Sequence, residues 1–158
     1  VSIANYNCPG QLVIGGEAEA VTKASELALE KGARRAIPLN TSGPFHTELL
    51  APASNELKEK FVSVNFNEMQ VPVIFNSSAK ELESGVSIAQ MLEKQVMSSV
   101  YFEDSIRYML ENGVDTIIEI GPGKVLSGFI RKIDKTIKTY QVEDQASLEK
   151  TLAGLKGE

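Results

Sequence analysis

The sequence predicts a mixed α/β protein in two parts, most of a small antiparallel α+β sandwich followed by a parallel sheet covered by helices. Residues 1 to about 40 read as strand, strand, helix, strand, and past residue 70 apolar runs of strand length alternate with helical repeats. That alternation is the rhythm of parallel strands joined by crossover helices. A hydrophobic content of 42% over 158 residues is enough to fill a core. We draw the boundary after residue 42, giving parts 1–42 and 43–158.

"VSIANYN" and "QLVIGG" read as two strands joined by a Cys8-Pro9-Gly10 turn, because Pro fixes φ and Gly supplies a positive one. "EAEAVTKASELALEKG" places Val21, Ala24 and Ala28 on one stripe and Gly32 where a helix ends, so it reads as a helix. "ARRAIPL" then reads as a short returning strand. Pro52 suits the first turn of a helix with Leu57, Phe61 and Val64 on its apolar face. "VPVIFNSSA" reads as a buried strand, and Ser87 with Gln90 forms an S-x-x-Q capping box that opens a helix. The next helix carries Phe102, Ile106, Met109 and Leu110 on one face and stops at Asn112-Gly113. "DTIIEIG" is an apolar strand, and "KVLSGFIRKI" a helix with Val125, Phe129 and Ile133 as its stripe. "IKTYQV" and "SLEKTLAGL" complete the chain as strand and helix.

Sixteen basic and twenty-one acidic residues leave a net charge of −5, with no basic run of the kind a nucleic-acid face needs. A single cysteine, Cys8, excludes a disulfide framework and points to a reducing, cytoplasmic setting. No apolar run reaches the length of a membrane span. The chain opens directly on an alternating apolar pattern without an initiator methionine, as a cut piece would.

The only histidine, His46, follows a Gly-Pro pair in "SGPFH", on a loop between the two parts, where scaffolds often present catalytic side chains. Residue type and position alone fit equally a loop histidine that bonds a nearby backbone group. "EIGPGKVL" invites a phosphate-loop reading, but its glycines are two residues apart and Lys124 is followed by valine rather than Ser or Thr. A tight strand-to-helix turn is the better account. "GVSIA" lacks the last glycine of a nucleophile elbow, which leaves Ser87 as a helix cap. Arg34 and Arg35 are the only paired arginines.

The ordered set "ANYNCPGQLVIGG", "GARRAIPL", "SGPFH", "VPVIFNSSA", "EKQVMSSVYFEDSIRYM" and "EIGPGKVLSGFIRKI" resembles the C-terminal half of the malonyl-CoA:acyl carrier protein transacylases, acyltransferases of fatty-acid synthesis. In that family a serine on a G-H-S-x-G elbow takes malonyl from coenzyme A and passes it to the carrier protein's phosphopantetheine thiol. The resemblance makes His46 the base that activates this serine, and Gln95 the residue whose backbone carbonyl holds the histidine's other nitrogen. It makes Phe45 a lining residue on the α-carbon side of the acyl group, and Asn7 and Gln11 substrate-binding residues.

The resemblance also implies a fold: part of an α/β-hydrolase-like parallel-sheet domain with part of a ferredoxin-like small subdomain, the latter in residues 1–42. It implies no cofactor or metal. The partners it implies are malonyl-CoA, an acyl carrier protein and the N-terminal half of the same enzyme, because the elbow serine, the oxyanion-hole donors and the arginine that pairs with malonyl are not found here. Carrier proteins are acidic, so Arg34, Arg35, Lys124, Arg131 and Lys132 are the candidates for docking one. Two other readings stand beside this one: a non-catalytic piece that only docks a carrier protein, and a hydrolase using Cys8 with His46.

Overall fold

The computed structural model describes residues 1–157. The chain divides into two compact units, residues 1–7 with 11–102 and residues 8–10 with 103–157, so the expected boundary after residue 42 falls inside the first.

In the first unit, strands β1 (Ser2–Cys8) and β2 (Gln11–Gly15) are neighbours across the Pro9-Gly10 turn, where Gly10 has a φ of 77°. Strand β3 (Val100–Tyr101) joins β1 in parallel, pairing Asn5 with Val100 and Tyr6 with Tyr101. The Tyr6 and Tyr101 rings stack with centroids 5.1 Å apart. The Ser99 hydroxyl donates to the Ile3 carbonyl at 2.6 Å, which ties the approach to β3 onto β1. Helices α1 (Ala18–Glu30), α2 (Ala51–Phe61) and α3 (Ile88–Met97) complete this unit, with a short 3₁₀ helix, Glu48–Leu50, leading into α2. Ala4, Phe75, Ala79, Met91 and Val100 are its buried apolar residues. Ser54 of α2 is buried and its hydroxyl donates to the Glu93 carbonyl of α3 at 2.8 Å, pinning the two helices together.

In the second unit, α4 (Phe102–Glu111) precedes two parallel strands, β4 (Thr116–Ile120) and β5 (Lys138–Val142), in register from Thr116–Lys138 to Ile120–Val142. Helix α5 (Val125–Ile133) connects them and α6 (Gln145–Lys156) follows. Ile106, Ile130 and Ile137 form its buried apolar centre, with Cys8. Gly154 of α6 lies flat against Tyr140 of β5: a Cβ there would stand 2.6 Å from the ring.

The helices apart from α2 match their expected spans, including the Ser87–Gln90 capping box with both of its hydrogen bonds, and Gly32, at φ 99°, just past α1. Four expectations are corrected. "ARRAIPL" is no strand: residues 33–42 run without pairing, with Ile37 and Leu39 exposed. "VPVIFNSSA" is not a buried strand either. Val71 and Val73 are exposed, and the only pairing is a single bridge between Phe75 and Lys80. Both runs have strand chemistry, but neither enters a sheet; of the second, the Asn76 carbonyl accepts from Tyr101 N–H of β3 at 2.9 Å without extending the ladder. The one sheet covered on both faces is instead two small sheets, of three strands and two.

The last correction concerns apolar stripes. Helix α2 ends at Phe61, leaving Val64 exposed beyond it. In α5, Ser127 and Ile130 face inward while Val125 is 63% exposed, because hydrogen bonds from Ser127 to Glu119 of β4 set the helix's rotation.

Candidate functional site

His46 stands at the turn "GPFHT" with φ at 61°, a left-handed backbone that a non-glycine residue adopts only where its surroundings hold it. Its neighbours do the holding. Thr47 is buried, and its hydroxyl donates to the Pro44 carbonyl at 2.7 Å, closing the turn. Its methyl enters a notch at Gly15, the end of β2: a Cβ on Gly15 would stand 2.9 Å from Thr47 Cγ2 and 3.8 Å from the Phe45 carbonyl oxygen. The Thr47 carbonyl accepts from Leu50 N–H at 3.0 Å, so the turn passes straight into the 3₁₀ helix and then, through Pro52, into α2.

Across from this turn is the C-terminal end of α3. The last carbonyls of a helix have no intrahelical donor, and that of Gln95 faces the His46 ring, with Nδ1 3.1 Å from the oxygen. Ser98 N–H supplies only a long second contact, at 3.4 Å. A carbonyl can accept but not donate, so this contact assigns the proton to Nδ1 and leaves the Nε2 lone pair exposed as a base. Among the described residues Nε2 has no hydrogen-bond partner. The arrangement fixes a tautomer with a neutral acceptor in place of a carboxylate, and can withdraw a proton from a nucleophile brought to Nε2.

The other residues singled out in the sequence are more scattered. Phe45, beside His46, is half exposed. Asn7 and Gln11 flank the β1–β2 turn, both half-buried; Gln11 lies four residues, about 13 Å along a strand, from the Gly15 notch. Arg34 and Arg35 are exposed on the unpaired segment after α1. Lys124 sits at the start of α5, and Arg131 and Lys132 in its last turn, where cations suit the helix dipole; Arg131 also reaches Thr139 Oγ1 at 3.4 Å.

Cys8 is 1% exposed, and burial raises its thiol pKa, only partly offset by Lys132 and reinforced by Glu103. A thiol held protonated is a poor nucleophile, so the cysteine-hydrolase reading fails. The phosphate-loop reading of "GPGK" fails on new grounds. Glu119 of β4 accepts from the Leu126 and Ser127 amides at 3.0 and 2.7 Å and from the Ser127 hydroxyl at 2.6 Å. Glu143 accepts from Gly123 N–H at 2.8 Å. The amides a phosphate would use are therefore already bonded to carboxylates. Burial pushes the Glu119 carboxyl up, but the bonds from Ser127 and Leu126 outweigh it and hold the group below its ordinary value. Among the described residues no cluster of three His, Cys, Asp or Glu side chains is placed to hold a metal, and no helix is long and apolar enough to cross a membrane.

Sequence reasoning missed Thr47, Gly15, Ser54 and Glu119. Of these, Glu119 had a signal: a lone acid in an apolar strand, just before a helix whose N-cap residue, Lys124, makes no side-chain cap.

No protein-family model matches the chain. It is 49% identical to the malonyl CoA-acyl carrier protein transacylase of Bacillus subtilis over 158 residues, all of this chain and 50% of that protein. The crystal structure of the transacylase of that name from Clostridium perfringens superposes with a TM-score of 0.95 at 44% identity, covering 99% of this chain and 49% of that one. A malonyl-transacylase solved in complex with its type II PKS acyl-carrier protein superposes with a TM-score of 0.92 at 36% identity, covering 99% of this chain and 50% of that one. The chain spans about half the length of the relatives it matches, and over its whole length it is a homologue of the malonyl CoA-acyl carrier protein transacylases.

Proposed function

We propose that this chain contributes the general base to a malonyltransferase that moves malonyl from malonyl-CoA to an acyl carrier protein through an acyl-serine, in cytoplasmic fatty-acid synthesis. The single observation that carries the reading is the 3.1 Å contact between His46 Nδ1 and the Gln95 carbonyl oxygen, which frees Nε2 for proton transfer. The serine, the oxyanion-hole donors and the malonyl-binding arginine come from outside these residues, so the isolated chain is expected to be inactive. Asn7, Gln11 and Phe45 belong to the substrate side. Arg34, Arg35, Lys124, Arg131 and Lys132 are offered to the acidic carrier protein. The hydrolase-like and ferredoxin-like subdomains, divided after residue 42, go with the same reading.

In the first half-reaction Nε2 accepts the serine proton as the hydroxyl attacks the malonyl-CoA thioester and returns it to the leaving coenzyme A thiolate; in the second it takes the proton of the carrier thiol as that thiol attacks the acyl-serine and returns it to the leaving serine oxygen. The Gln95 carbonyl keeps Nδ1–H in place throughout and itself transfers nothing. The test is malonyl transfer by the full-length protein. His46→Ala should lower kcat by about 10²- to 10⁴-fold or more, whereas Gln95→Ala, which keeps the carbonyl, should be mild. A loss at Gln95 as deep as at His46 would contradict the assignment.

A further inference from the structure

His46 keeps a left-handed backbone, at φ 61°, at the point that determines where its ring points. Both of its neighbours are tethered. Thr47 is 3% exposed, bonded through its hydroxyl to the Pro44 carbonyl at 2.7 Å, and its Cγ2 fills the space that a side chain on Gly15 would need. The Phe45 carbonyl lies over the same glycine. Gly15 has no positive φ, so its glycine is not required for the backbone; what it provides is room. We propose that Thr47, seated in the Gly15 notch, is a positioning residue that fixes the His46 backbone and thereby the Nδ1–H tautomer facing Gln95. The proposal rests on the reading of His46 as the base, and Thr47 touches no reacting atom.

The hydroxyl and the methyl of Thr47 have separable duties, which gives the test its design. Thr47→Val keeps the shape but removes the bond to Pro44. Gly15→Ala drives a new Cβ into a β-branched side chain that is stiff about χ1 and cannot step aside. Thr47→Ser removes Cγ2 while keeping the hydroxyl, so in the Gly15→Ala background it vacates the clashing position, and the next neighbours of the new Cβ stand at 3.8 Å, ordinary contact.

In the full-length protein, Thr47→Val and Gly15→Ala should each lower kcat for malonyl transfer by on the order of 10²-fold, the loss expected from a misplacement of about 1 Å. KM for malonyl-CoA should be nearly unchanged. Gly15→Ala with Thr47→Ser should recover most of the rate, and Thr47→Ser alone should stay within a few-fold of wild type. Imidazole ¹⁵N spectra should show the His46 Nδ1–H tautomer in wild type and a mixture in Thr47→Val.

A Thr47→Val protein with wild-type kcat and an unchanged tautomer overturns the proposal, even if His46→Ala is dead. So does a double variant no better than Gly15→Ala. If instead the tautomer is lost on Thr47→Val while His46→Ala retains full activity, the positioning stands and the functional reading falls. Should Thr47→Val fail to fold, the Gly15→Ala pair still decides.

Discussion

Two helix ends in this molecule face the same problem and resolve it differently. At the end of α3 a carbonyl lacks a donor, and a histidine from a distant turn takes it, leaving its own far nitrogen open. At the start of α5 the Leu126 and Ser127 amides lack intrahelical acceptors, and the Glu119 carboxylate takes them with both of its oxygens. Unsatisfied helix-end groups are thus not in themselves a sign of a site. What separates the two ends is whether the partner, once bonded, still has an unsatisfied atom pointing outward. His46 does and Glu119 does not, so changes at the first end should alter rate and those at the second should alter stability.

The largest effect, beyond loss of the base itself, should come from Phe45 next to His46. On the proposed reading Phe45→Ser makes room on the acyl side, and the ratio of kcat/KM for malonyl over methylmalonyl thioesters should fall by roughly 10- to 200-fold at most, the range one methyl usually decides. An unchanged ratio would make Phe45 a packing residue only.

At the sealed end, Glu119→Gln puts an amide where both carboxylate oxygens accept, forcing donor against donor. Unfolding in urea should show a loss of about 1–2 kcal/mol, with kcat for transfer close to wild type; an equal fall in rate would erase the distinction between the ends. The same residue gives a pH signature. Because its carboxyl is held below the ordinary value, the stability it adds is complete above the ordinary carboxylate pKa and is lost as pH falls through the folded one. Asp134, bonded by Thr136, and Asp144, bonded by Ser147, are shifted the same way, so each loses its contribution as pH falls through its own folded value. Glu119→Gln should therefore flatten the acid limb of the stability curve without abolishing it.

The smallest effect belongs to neither end. Arg34 and Arg35 lie exposed on an unpaired segment, free to act at long range. Reversing both to Glu should slow association with an acidic carrier protein by up to about 10-fold at low salt. The difference should shrink as ionic strength rises, while the coenzyme A half-reaction holds steady. Equal losses in both half-reactions would indicate misfolding.

The helices were legible because their signals are local: Ser87 and Gln90 name a helix start, and Gly32 a stop, whatever surrounds them. The strands were half legible. "TIIEI" and "KTYQV" find each other within the chain, whereas "ARRAIPL" and "VPVIFNSSA" have the same chemistry and join no sheet; an apolar run states a preference but cannot supply its neighbour. Rotation of α5 was illegible because it is set by a hydrogen bond from another element, not by the helix's own stripe. At the candidate site, the resemblance pointed to His46 and Gln95, but the notch between Gly15 and Thr47, 32 residues apart, joins a strand end to a turn and leaves no pattern in either segment.

The unpaired segments have a consequence at the bench. Ile37, Leu39, Val71 and Val73 are exposed on segments that belong to no sheet, and exposed apolar residues of this kind favour association. The net charge of −5 works against such contacts only while salt is low. A solution of the chain should therefore scatter more light per molecule as concentration and ionic strength rise together. Replacing Val71 and Val73 by lysine should restore a scattering intensity proportional to concentration.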